Sequence, residues 1–124
     1  MTPVDRQQAF RHILEQLTAN EAVSLALLAS DDGLLIAAVP DTDLAQTVAA
    51  VGATIHQMAA RTAGKRMVDE IAVRFSDREL LVCLPRRCQD TDLHLSIVVR
   101  PKQAYRRIAN RAIRQICAVW TSAR

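Results

Sequence analysis

The apolar positions of the chain recur with two different periods, and the switches between them divide it into alternating helical and extended segments. Phe10, Ile13, Leu14 and Leu17 fall at i, i+3, i+4 and i+7, the spacing of one face of an amphipathic helix. Thr2, Pro3 and Asp5 supply a hydroxyl cap, a ring pre-set for the first turn and an acid at the positive helix end, so the first helix opens there and ends near Asn20. Next, "AVSLALLAS" (22–30) and "LLIAAV" (34–39) flank "DDG", and Asp32-Gly33 supplies the positive φ angles of a tight turn. These segments predict a β-hairpin. Pro40, Asp41 and Asp43 stop its second strand and open a second helix from about residue 42 to Ala63, with Gly64 in the left-handed capping position. Asp41 and Asp43 read as capping acids rather than metal ligands.

"EIAVRFS" (70–76), "ELLVCLP" (79–85) and "LHLSIVV" (93–99) predict three more strands, the last two joined by the polar loop "RRCQDTD". Pro101 marks the start of a last helix whose Ile108, Ala109, Ala112, Ile113, Ile116, Cys117 and Trp120 share one face, with Arg107, Arg111 and Arg114 turned to water. The predicted order is α-β-β-α-β-β-β-α: an α/β fold with a single, mostly antiparallel five-stranded sheet flanked by three helices. Strands one, four and five are apolar almost without a break, as expected of central strands covered on both faces. Strand three instead alternates Ile71, Val73 and Phe75 with polar or small residues, including Arg74. It reads as a half-covered edge able to pair with something.

The second helix carries the least expected pattern. From Leu44 to Ala60 it contains no charged residue, although 23% of the chain is charged. On a helical wheel Leu44, Val48, Val51, Ile55, Met58 and Thr62 form one row, expected to cover the sheet. Beside it run Ala45, Ala49, Gly52, His56, Ala59 and Ala63, mostly very small, as suits the close approach of a neighbouring helix. The remaining face, with Gln46, Ala50, Ala53, Thr54, Gln57 and Ala60, is neutral too. A helix bare on every side calls for more cover than three helices and five strands supply, so a partner, most simply a second copy, is expected.

Composition narrows the class. With 124 residues, half of them apolar, the chain has the size of one globular domain, 1–124, with no repeat or low-complexity tract. Its abundant Ala and Arg suit a GC-rich bacterial source. The N-terminal segment lacks the pattern of a secretory signal, and the uncharged helix falls short of the ~20 apolar residues of a membrane span, so neither export nor membrane insertion is expected. Cys83, Cys88 and Cys117 are odd in number and form no CxxC pair, which reads as a reduced cytoplasm rather than a disulfide or zinc framework. The net charge of +3 is unevenly spread: Arg100, Lys102, Arg106, Arg107, Arg111, Arg114 and Arg124 face no acid in the last 25 residues.

The element order, the "SDDGLLIA" hairpin, the alanine-rich second helix and a last helix with Ala104 in its first turn resemble the roadblock (dynein light chain) family across essentially the whole chain. "TANEAVS" and "PKQAYRR" lack glycines common in that family before strand one and at the start of the last helix. The resemblance implies a profilin-like architecture and a dimer in which the second helices lie side by side and the third strands pair across the two-fold axis. It also implies a role beside a Ras-like small GTPase, as regulator or scaffold.

Other chemistry finds little support. Gly33, Gly52 and Gly64 do not make a P-loop, since Gly64-Lys65 is followed by Arg66. Cys83 and His94 on neighbouring strands read as a buried thiol and a half-exposed imidazole rather than a nucleophilic pair. His12, His56 and His94 have no metal-ligand spacing, and no cofactor is called for. A basic last helix with few aromatics makes nucleic-acid binding a third choice, behind a small-ligand-sensing profilin-like module hinted at by Val51 and Met58. The expected protein is a non-enzymatic homodimer that docks a small GTPase. Its self-contact falls on Ala45, Ala49, Gly52, His56 and Ala59, with Leu44, Val48, Ala53 and Ala60 beside them and with Ile71, Val73, Arg74 and Phe75 of the edge strand. Its partner contact falls on Gln46, Ala50, Thr54, Gln57 and Arg61.

Overall fold

The computed structural model describes residues 2–122. Its elements are α1 (Pro3–Ala19), β1 (Val23–Ser30), β2 (Leu35–Val39), α2 (Asp43–Ala63), β3 (Ile71–Arg74), β4 (Leu80–Cys88), β5 (Thr91–Val99) and α3 (Arg106–Ser122). This is the expected order. The strands form one antiparallel sheet in the order β2-β1-β5-β4-β3, which puts β1, β5 and β4 at the centre and β3 at an edge. α1 and α3 lie on one face and α2 on the other.

The alternation of β5 shows how the sheet builds two layers. Leu93, Leu95, Ile97 and Val99 join the core under α1 and α3, whereas His94 and Ser96, one step out of phase, are buried on the opposite face. Phe10, Ile13, Leu14 and Leu17 bring the buried stripe of α1 to the first core, and Ala109, Ala112 and Ile116 bring that of α3. Trp120 stacks on Phe10 with ring centroids 6.1 Å apart. At the chain's start the Thr2 hydroxyl accepts from the Asp5 amide at 3.1 Å and the Asp5 carboxylate accepts from the Thr2 amide at 3.3 Å, a complete capping box.

Several boundaries differ from the sequence reading. The segment 86–92 is not a loop: β4 runs on to Cys88 and β5 starts at Thr91, leaving Gln89 and Asp90 as the turn, with Gln89 in the left-handed region. The cross-strand pair Arg87–Asp92, 3.3 Å apart, helps polar residues continue the ladder. The last helix begins at Arg106 rather than at Pro101; Lys102 has positive φ, and Ala104 precedes the helix instead of lying in its first turn. In the first hairpin only Gly33 takes positive φ, and the connection is longer than a two-residue turn, closed by Gly33 N–H to Ser30 O and Ser30 N–H to Leu34 O. Thr42, not Asp41 or Asp43, is the N-cap of α2, with Asp43 in the first turn where it favours the helix dipole.

The cysteine reading is also corrected. Cys88 and Cys117 form a disulfide, with Cα atoms 5.2 Å apart, leaving Cys83 free and buried. Cys88 ends β4 on the α3 side, and Cys117 stands on the sheet-facing stripe of α3; their sequence separation of 29 residues hides a contact that only the packing creates. A reduced compartment therefore cannot be read from the cysteine count. No helix among the described residues is long and apolar enough to cross a membrane.

Candidate functional site

Helix α2 lies on the sheet by its small residues. Ala45, Ala49, Gly52 and Ala53 are buried together with Val48. A Cβ at Gly52 would stand 3.5 Å from Ser96 Oγ and 3.6 Å from Cys83 Sγ, so this position sits directly over β5 and β4. Gly33 of the first hairpin approaches the same helix so closely that a Cβ there would meet the Ala53 methyl at 3.2 Å and the Ala50 Cα at 3.3 Å. The assignment of the two rows of α2 is thus reversed. Ala45, Ala49 and Gly52 cannot meet a second helix because the sheet occupies that face; His56 and Ala59, half-buried, continue the same row.

The larger apolar row is the one left outside. Leu44 is 60% exposed, Val51 40% and Met58 61%; only Val48 of that row is buried. The reason is geometric: a helix whose contact face is Ala and Gly approaches a sheet closely, and the bulkier row is then rotated to the flank. Val48 belongs to the same apolar cluster as Leu81 of β4, against which half-buried Val73 and Val98 also pack, so this flank overlooks the β4–β3 side of the sheet. Val51 and Met58, which hinted at a ligand pocket, thus stand on this exposed flank.

Among the described residues strand β3 pairs only with β4, through Ile71–Cys83, Ala72–Val82, Val73–Leu81 and Arg74–Leu80, and its outer edge carries no strand. Ile71 and Val73 are half-buried on the α2 side, Arg74 points to the other side, and Phe75 is 46% exposed just beyond the strand. Tyr105 and Arg106 tie the start of β3 to α3 through Glu70, each donating to its carboxylate at 3.1 Å. On the side away from α2, Arg74 and Arg78 meet Arg100 and Lys102 along a groove of about 420 Å³, so the basic C-terminal charge divides between this groove and the solvent face of α3. Gln46, Ala50, Thr54, Gln57 and Arg61 are all exposed on the outer side of α2.

Two further groups occupy the α2 side. His56 on α2 and His94 on β5 meet edge to face with centroids 4.8 Å apart. His94 is not half-exposed as expected but 2% exposed, and burial, reinforced by His56, lowers its pKa below 6.5 while Asp31 and Asp92 oppose the shift. Cys83 stands opposite Ser96, whereas His94 stands opposite Pro85. Cys83 and His94 are therefore out of register, and burial raises the Cys83 thiol's pKa, the opposite of activation. Among the described residues no three His, Cys, Asp or Glu side chains are placed to hold a metal ion. The signal for the buried His94 lay in "LHLSIVV", where His94 and Ser96 take the alternate, inward positions of a central strand.

The comparison with family models decides the family. The Roadblock/LC7 domain model matches residues 10–85, from the buried stripe of α1 into β4. The chain belongs to the Roadblock/LC7 domain family. It superposes on solved structures of low identity: Myxococcus xanthus MglB (13% identity, 94% of this chain and 90% of that one, TM-score 0.77) and a Roadblock/LC7 domain from Streptomyces avermitilis (18%, 91% and 96%, 0.73). Acanthamoeba castellanii profilin IA matches over 92% of this chain and 98% of its own, at 10% identity and a TM-score of 0.54. The roadblock domain thus has a profilin-like architecture. No curated protein sequence gives a significant match.

Proposed function

We propose that this roadblock domain is a non-enzymatic homodimeric scaffold or regulator for a Ras-like small GTPase. The observation that carries the reading is the coincidence of an exposed apolar flank on α2 with an open β3 edge beside it. Leu44, Val51 and Met58 recur every seven residues, the repeat of a helix–helix seam, and stand exposed on the flank of α2. A second copy placing its own α2 there covers these side chains, while β3 pairs with β3 and continues the sheet. Family membership supports this arrangement and the GTPase partner alike.

The outward row Gln46, Ala50, Thr54, Gln57 and Arg61 then forms the docking surface, mostly neutral, with Arg61 as its strong donor to an acidic group on the GTPase. Its effect on GTP hydrolysis works by holding the GTPase's own switch segments, since no arginine here stands in a motif that marks it as a trans-acting finger. The test has two arms. Sedimentation equilibrium at micromolar concentration gives twice the 13.7 kDa chain mass for the wild type, and Val51→Arg, which puts a charge in the seam, gives a monomer. Ala50→Arg dimerises normally but loses binding to a small GTPase in its GTP-like form. A wild-type monomer rejects the dimer, and GTPase binding that ignores either the nucleotide or Ala50→Arg rejects the docking surface.

A further inference from the structure

Where the C-terminal half of α2 crosses the ends of β4 and β5, a depression of about 290 Å³ opens beside the two histidines. Its apolar lining comes from Ala60, Met67, Val68 and Pro85. Around this apolar floor stand Arg66, Arg86 and Arg87, with Asp31 and Asp92. His94 forms part of the wall, and neither of its ring nitrogens has a hydrogen-bond partner among the described residues, although the side chain is 2% exposed. A neutral imidazole brings one N–H donor and one acceptor, and burying both without partners is unfavourable. A leucine would fill the same space without that penalty, so the polar ring is the feature that calls for a ligand.

The guanidinium groups are anchored without being used up. Arg66 Nε donates to the Ala63 carbonyl at 2.9 Å, and Arg87 Nε donates to the Gln89 carbonyl at 3.2 Å while its Nη1 reaches Asp92 at 3.3 Å. Arg86 Nη1 donates to the Asp69 and Pro85 carbonyls at 2.7 and 2.8 Å and lies 3.5 Å from the Asp69 carboxylate. Each guanidinium has five N–H donors, so several remain on every side chain, in the planar fork that suits an oxyanion. Asp31 and Asp92 offset part of this charge, which favours a head of one or two negative charges over a polyanion. The apolar floor offers nothing to such a head but would cover a ring or short hydrocarbon attached to it.

We propose that this depression binds a small organic anion, its oxyanion head held by Arg66, Arg87 and an N–H of His94, its apolar body lying on Met67, Val68 and Pro85. The site is separate from the Leu44–Val51–Met58 flank and requires neither the dimer nor the GTPase. It is tested with the full chain, isotope-labelled in its histidine rings and titrated with phenyl phosphate, benzoate and inorganic phosphate while the ring signals are followed by NMR. His12, on the exposed side of α1 and 3.3 Å from Gln16, is the internal control.

At least one organic probe shifts His94 and His56 saturably while His12 stays still, and the better of the two identifies the head as phosphate or carboxylate. Inorganic phosphate, lacking the apolar body, binds about tenfold more weakly or worse. The double variant Arg66→Gln/Arg87→Gln, which changes exposed side chains and leaves the thermal midpoint close to wild type, weakens the better probe by about tenfold or more. Absence of any saturable shift, a parallel shift of His12, inorganic phosphate binding as tightly as the organic probes, or an affinity unchanged in the folded double variant overturns the proposal.

Discussion

The two faces of the sheet are covered in different ways. Beneath α1 and α3 large side chains interlock: Phe10, Leu14, Leu28, Val82 and Ile97 are at most 1% exposed, and the Cys88–Cys117 bond closes one end. Beneath α2 the contact is made by Ala, Gly and one Val, and the bulkier row is left at the flank. A close backbone contact seals as much sheet as it touches but brings little apolar volume with it. The first face therefore supplies most of the stability, and the second trades core volume for a surface another chain can use.

Substitutions should separate the two faces, and the largest effect belongs to the closed one. Leu14→Ala deletes a fully buried side chain and costs about 2–5 kcal/mol in denaturant unfolding, whereas Leu44→Ala on the α2 flank stays within about 0.5 kcal/mol when measured on the monomer. Equal costs would mean that both faces are core. Cys117→Ser removes the cross-link between α3 and β4 and lowers stability by about 3 kcal/mol under oxidising conditions. The wild type correspondingly has an intact mass two hydrogens below its sequence value, and a mass showing three free thiols would remove this prediction. Gly52→Leu drives a branched side chain into Ser96 and Cys83 and costs about 1–3 kcal/mol in the monomer. Were Gly52 at a helix–helix seam instead, the monomer would be unaffected and only the dimer would weaken.

Most of the fold was legible because periodicity reports burial, and burial here follows the sheet. The alternation of Ile71 and Val73 marked the edge strand, and the unbroken apolar runs of β1, β4 and β5 marked the centre. The rows of α2 are reversed in the sequence reading because hydrophobicity does not measure which side of such a helix faces the sheet. For a helix this rich in alanine the decisive quantity is the distance of approach, which composition does not contain. The segment 86–92 read as a loop for a related reason: Arg87 and Asp92 look like solvent-exposed turn residues, yet they pair across a hairpin whose turn is only Gln89 and Asp90. The disulfide depended on bringing α3 onto the end of β4, and the His56–His94 contact on where α2 crosses β5. Neither packing contact has a local signature.

The smallest expected effect probes the polar residue buried under α2. His94 has a folded-state pKa lowered from 6.5 chiefly by burial, with His56 adding to the shift and Asp31 and Asp92 opposing it. Well above pH 6.5 the ring is neutral in folded and unfolded chains alike and contributes no pH dependence. As the pH falls through 6.5 the unfolded chain takes up a proton that the folded chain refuses, so stability declines until the lowered folded-state pKa is passed. Asp5, whose pKa is lowered by its hydrogen bonds to Thr2, acts in a separate window: its contribution is present above 3.8 and lost as the pH falls further. Denaturant unfolding of the wild type and of His94→Leu across about pH 5 to 8 isolates the histidine. The wild type loses stability toward the acid end, and the variant, in which an apolar side chain occupies the same buried position, has a flatter profile there. An identical slope in the two proteins would show that His94 takes up its proton equally well folded and unfolded, and that the α2 side of the sheet is open to water at this point.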